Sequence, residues 1–219
     1  MANSTKKSEI ASLEAYRVAL ENVGSQEQIA SQMLEMGYDD ALLAEGRALL
    51  KETQEKYQMN KKEDAEQSEA YERFAKLWGE MDAAYRLHRK KAKVISRNEP
   101  GMLEKLAAVK SVPSSYVKWV QIMRSFYGEL SADEALQQKV SRLKLRPEEI
   151  QTALERIELL EKARAEYLKE KGESQNATQI KEEAFARLDN WMSEFYSVAR
   201  IALDDSPQLL EALGKQVRN

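Results

Sequence analysis

From Tyr71 to Ile95 an apolar or aromatic side chain, or His88, returns at every third or fourth position: Tyr71, Phe74, Trp78, Met81, Tyr85, His88, Ala92 and Ile95. That spacing tracks the 3.6-residue turn of an α-helix and gathers the stripe on one side of it. The same steps occur at Ile10, Leu13, Tyr16, Leu20 and Val23 near the start of the chain. Only eight glycines and four prolines punctuate 219 residues, and good helix formers dominate between them. The expected fold class is all-α. A hydrophobic fraction of 42% is enough to build a core.

Turn and cap signals divide the chain into an orderly series. A first helix is expected from Ser8 to Val23, stopped by Gly24. Ser25-Gln26-Glu27-Gln28 reads as a capping box opening a short helix that ends at Gly37. Asp39-Asp40 starts a helix to about Tyr57. The polar segment 58–67 reads as a loop or an exposed helical turn, and a long helix follows from about Ser68 to Arg97. Pro100 opens a short closing helix, where its missing N–H costs nothing.

After the linker 110–114 the order begins again. Ser114 or Ser115 caps a helix carrying Trp119, Met123, Phe126 and Tyr127. Ser131-Ala132-Asp133-Glu134 reads as a second capping box. Pro147 opens a helix to about Lys171, a polar stretch follows, and a long helix runs from about Ala177 to Leu203 before Ser206-Pro207 starts the last short one.

At an offset of 107 residues the closing segments of the two halves align without a gap. Trp78 falls on Phe185, Tyr85 on Met192, His88 on Phe195 and Ala92 on Ala199; Pro100 falls on Pro207 and Leu103 on Leu210. Upstream the offset is expected to drift between about 106 and 110, as small loop insertions would cause. The expected architecture is an elongated helical bundle of two tandem duplicated units, each with three substantial helices and two short ones. Its divisions are a flexible tail over 1–7, unit one over 8–109, the linker 110–114 and unit two over 115–217. Val117 and Val120 widen the apolar arc of the helix after the linker, so that helix is expected to pack between the units and fuse them.

Chemistry-bearing candidates are few. The chain has no cysteine, which removes disulfides, thiol nucleophiles and thiolate metal sites. His88 is the single histidine, so paired Glu-x-x-His metal sites are closed; its match to Phe195 reads as a packed imidazole. Arg86, Arg89, Lys90, Lys93 and Arg97 form the strongest local charge feature, readable as a solvated face or as a contact for phosphates or an acidic partner. Trp191, Phe195 and Tyr196 with Arg200 read as core rather than an aromatic cage. Glu104 and Glu211 read as matched surface or capping carboxylates rather than an acid–base pair. No catalytic, cofactor-binding or metal-ligating set is expected.

The closing segment ARIALDDSPQLLEALG, Ala199 to Gly214, resembles that of a loosely defined group of bacterial helical proteins of unknown function. Residues 92–107 match it less well, because Ala107 stands where the final glycine would be. The resemblance implies a helical bundle of duplicated units and carries no activity. Together these readings point to a non-enzymatic protein-interaction or structural module. The expected partner is another protein or a second copy, nucleic acid binding through residues 86–97 is the alternative, and an enzyme of unknown class is a distant third. No apolar run reaches the roughly 18 residues needed to span a bilayer, no signal-peptide core stands at the start, and a cytoplasmic location is the default expectation.

Overall fold

In the computed structural model, residues 8–215 are described, and they are helical without a strand. The order is α1 (Glu9–Ser25), α2 (Glu27–Glu35), α3 (Asp40–Ile95), α4 (Pro100–Lys105), α5 (Tyr116–Ala132), α6 (Glu134–Ser141), α7 (Pro147–Ala202) and α8 (Leu209–Ala212). The all-α expectation holds. Residues 1–7, expected to be a flexible tail, and the last two residues of the expected second unit lie outside the described residues.

Each half holds one very long helix where two were expected. α3 and α7 are both 56 residues. The segment 58–67 is polar but contains neither glycine nor proline, so nothing in its backbone breaks a helix. Its polar side chains are used inside the terminal unit described below. Asn60 is 3% exposed and donates from Nδ2 to Thr178 Oγ1 at 3.0 Å, and Ser174 donates to Asp64 Oδ1 at 2.8 Å. A helix facing such partners loses its apolar period and so looks like a loop in sequence.

Several of the expected caps are corrected: Ser115 precedes α5 without a side-chain cap bond, and α8 starts at Leu209 after Gln208 rather than at Pro207. α1 continues through Gly24 and Ser25 and stops at Gln26, whose extended backbone starts α2 without a side-chain cap. Ser25 donates back toward the Asn22 carbonyl instead. Ahead of α6, the cap is Asp133, which accepts from the Leu136 N–H at 3.0 Å, and not Ser131. Ser8 and Asp39 cap α1 and α3 by accepting from the Ala11 and Leu42 N–H groups.

The compact units differ from the expected ones. One, the terminal unit, comprises residues up to Asp64 together with residues from Glu173; the other, the central unit, is Ala65–Gly172. α3 and α7 each give one end to one core and the other end to the other. The terminal core takes Leu20, Val23, Ile29 and Met33 from α1 and α2, with Leu188, Met192, Phe195 and Ala199 from α7. The central core takes Met81, Tyr85 and Ala92 from α3, with Trp119, Met123, Phe126, Tyr127, Ile150 and Ile157 from α5 and α7. In each unit the long helices run antiparallel. Thr53 and Asn60 meet Ala184 and Thr178 in the terminal unit, and Arg73 meets Glu166 in the central one. The arc of α5 is narrower than expected, since Val117 is 63% exposed and Val120 alone is buried.

The offset between halves does not drift. Glu9 to Tyr116, Glu27 to Glu134 and Asp40 to Pro147 are each 107 residues apart, and these are the starts of α1 and α5, α2 and α6, α3 and α7. Burial keeps the same step, as at Leu20 and Tyr127, Ile29 and Leu136, Tyr85 and Met192, Leu106 and Leu213. One substitution within this frame is steric. At Gly46 an added Cβ would overlap the Trp191 indole, which stacks on Phe195; the equivalent positions hold Ala153 and Ala84.

Four turns share one backbone device. Gly37 (φ 86°), Lys144 (φ 57°), Ala107 (φ 50°) and Gly214 (φ 76°) are left-handed just past α2, α6, α4 and α8. Each closes its helix with paired bonds, such as Ala107 N–H to the Glu104 carbonyl and Ala108 N–H to that of Leu103. Each of the two turn positions is thus glycine in one half and a residue with a Cβ in the other. A Cβ in the left-handed region costs roughly 1–2 kcal/mol. Ala107→Gly is accordingly expected to stabilise the chain by about 1 kcal/mol, seen as a raised urea midpoint. A lowered midpoint would contradict the left-handed turn.

Candidate interaction surfaces

The basic run on α3 is divided by its partners. Arg86 donates from Nε to Asp82 Oδ2 at 2.6 Å. Arg89 is half-buried and donates to the carbonyls of Ala108 (2.9 Å) and Lys110, tying α3 to the linker. Lys91 reaches the Lys144 carbonyl at 2.9 Å in the turn before α7. Lys90 and Arg97 are exposed and Lys93 half-exposed, and none of the three has an ion pair among the described residues. Of the five candidate residues, two are spent on the fold and three remain to meet a ligand.

Asp82 anchors a cleft that sequence reasoning missed. Besides Arg86, it accepts from Trp119 Nε1 at 2.7 Å, joining α3 to α5. The cleft, of about 290 Å³, is lined by Trp78, Gly79, Asp82, Arg86, Pro113 and Trp119. That is at the lower edge of the range for small-molecule sites. Each oxygen of its carboxylate thus accepts one hydrogen bond within the fold. The equivalent residue in the terminal unit, Asp189, accepts from the Tyr16 hydroxyl at 2.8 Å. Burial, then the Asp189 bond, pushes the Tyr16 hydroxyl up. The signal was available: Asp82 and Asp189 are a carboxylate pair 107 residues apart, as Glu104 and Glu211 are. Both of those glutamates are exposed.

His88 is half-buried, with Nδ1 2.9 Å from the Tyr127 hydroxyl and its ring edge-on to that of Tyr127. The terminal unit has Phe195 and Leu20 at these places, so one half carries a polar contact where the other has an apolar one. Burial first, then Lys91, holds the His88 pKa below its ordinary value, with Glu149 opposing. The unfolded chain therefore binds this proton more readily. Stability attributable to neutral His88 is full above about pH 6.5 and is lost as the pH falls through the lower folded value. His88→Phe is expected to flatten the change in urea midpoint between pH 7.5 and 5.5; an unchanged pH dependence in the variant would refute this.

The aromatics of the terminal unit are core. Phe195 and Tyr196 are buried, and Trp191 stacks on Phe195 with centroids 5.6 Å apart. Burial pushes the Tyr196 hydroxyl up to about 12. A cation does lie over Tyr196, the Lys215 ammonium, 3.7 Å from the ring centroid.

No protein-family model, curated protein or solved structure matches this chain. No helix among the described residues is long and apolar enough to cross a membrane.

Proposed function

We propose that this chain is a non-enzymatic helical module, built by internal duplication, that acts by presenting surfaces to protein partners. The duplication is supported by the constant offset, the equal lengths of α3 and α7 and the equivalent left-handed turns. The observation that carries the binding reading is a recurrence of exposed apolar side chains. Ile10 and Val117 are 61% and 63% exposed, Ile201 and Val94 are 65% and 67%, and Met36 and Leu143 are 48% and 37%. Each pair is one repeat offset apart. A single exposed leucine needs no explanation, but apolar residues kept in water at the same place in both halves suggest a shared use.

The test is site-specific photo-crosslinking in cells, with the reactive residue placed at Val94 or Ile201. Discrete protein adducts are the expected result. Adducts to nucleic acid alone, or none, would overturn the reading. A second reading, polyanion binding, is favoured by one observation only, the three cations Lys90, Lys93 and Arg97 left without ion pairs. It predicts oligonucleotide binding that weakens steeply with salt and is lost on replacing those three residues.

A further inference from the structure

Two of the recurring exposed pairs stand at corresponding ends of the two units, and their surroundings have opposite charge. In the terminal unit Met36 follows α2, and Ile201 is in the last turn of α7. Tyr38, two residues after Met36, packs edge-on against Phe195 and so holds that turn against the C-terminal part of α7. In the central unit Leu143 follows α6 and Val94 is in the last turn of α3. The Lys91 bond to the Lys144 carbonyl holds those two segments together. Each end thus presents one apolar residue from a turn and one from the end of a long helix.

Around Met36 and Ile201 stand Glu35, Asp39, Asp40, Asp204 and Asp205, all exposed. Around Leu143 and Val94 stand Lys90, Arg97, Arg142, Lys144 and Arg146, also all exposed. At three positions the sign reverses outright, Glu35 corresponding to Arg142, Asp39 to Arg146 and Asp204 to Arg97, while Asp40, Asp205, Lys90 and Lys144 correspond to the uncharged Pro147, Asn98, Ser197 and Gly37. Glu148, Glu149 and Arg200 run against the pattern; of these, Glu149 accepts from the Arg146 backbone N–H. Like turns on a shared scaffold thus carry the same apolar pair inside rims of opposite sign.

We infer that the basic end of the central unit in one copy docks on the acidic end of the terminal unit in a second copy of this chain. The inference rests on the protein-partner reading above and names the partner. Opposite rims steer and align the encounter, while like ends repel. The contact is heterologous, so each added copy leaves one acidic and one basic end free, and growth continues unless a ring closes. Four exposed apolar side chains make a small interface, weaker than the standard-sized ones. Its rim charges are screened within about 10 Å at 0.1 M salt, so association belongs to low salt and high concentration.

Sedimentation velocity of the full chain across concentration and salt tests this. The expected result is concentration-dependent association at low salt that disappears at high salt. Arg97→Glu with Arg142→Glu nearly neutralises the basic end and leaves the acidic one intact, and Glu35→Lys with Asp204→Lys nearly neutralises the acidic end and leaves the basic one intact. Each double variant alone is expected to remain monomeric, and an equimolar mixture of the two to associate. The mixture separates lost complementarity from lost folding, because a misfolded variant would not be rescued. Wild-type monomers at every salt, or association that survives both charge reversals, would overturn the proposal. So would low-salt monomers that bind an oligonucleotide through Arg97 and Arg142. A monomer that still yields protein adducts at Val94 and Ile201 would overturn self-docking alone and leave the partner reading standing.

Discussion

Replacing Phe195 with alanine is expected to destabilise the chain by about 3–5 kcal/mol. Phe195 is 0% exposed, and its ring meets Tyr38 edge-on at 5.6 Å, stacks on Trp191 at 5.6 Å and lies edge-on to Tyr196 at 5.4 Å. Removing it opens a cavity among aromatic rings from α7 and from the turn ahead of α3, where little can collapse inward. The same truncation at the equivalent His88, half-buried and hydrogen-bonded at one ring nitrogen, should cost clearly less. Urea denaturation of the two variants side by side makes the comparison. A loss under about 1 kcal/mol at Phe195 would show that the aromatic cluster is not the packing centre of the terminal unit.

Gln58→Pro is expected to cost about 3 kcal/mol or more. Proline at 58 removes an N–H from the interior of α3 and drives its ring against the Gln54 carbonyl. It would also displace Asn60, two residues on, from Thr178. Gln58→Ala, which keeps the helix, should be close to neutral because Gln58 is exposed. Equal stability of the proline and alanine variants would mean that the segment is a loop after all.

These two positions separate what was legible in the sequence from what was not. The Phe195 stripe was legible because burial of one side of a helix imposes a three-and-four spacing that survives without knowing the partner. The match of Phe195 to His88 placed the histidine in a packed environment for the same reason. Segment 58–67 was not legible, because its inward-facing side chains are polar. A buried asparagine looks like a loop asparagine until the threonine that accepts its hydrogen bond is known. The caps failed on a smaller scale: Ser25 and Ser131 have capping chemistry, but the chain turns one residue after Ser25 and two after Ser131. In the basic run, charge was visible in the sequence but availability was not. Arg86 and Arg89 are engaged by Asp82 and by the linker carbonyls, and those partners stand 4 and 19 or more residues away. Asp82 itself was overlooked because its donor, Trp119, is 37 residues distant.

By itself the sequence determined the helical class, the stripes that become core, the closing turn at Gly37 and the 107-residue step between the two closing segments. All of these depend on local backbone preference and on the period of one helix. Tertiary structure decided that the helices around 58–67 and 172–176 are continuous. It also decided that the compact units combine the beginning of one half with the end of the other. That choice depends on which distant surface each long helix covers, as where Gly46 leaves room for Trp191, and helical periodicity carries no record of the partner.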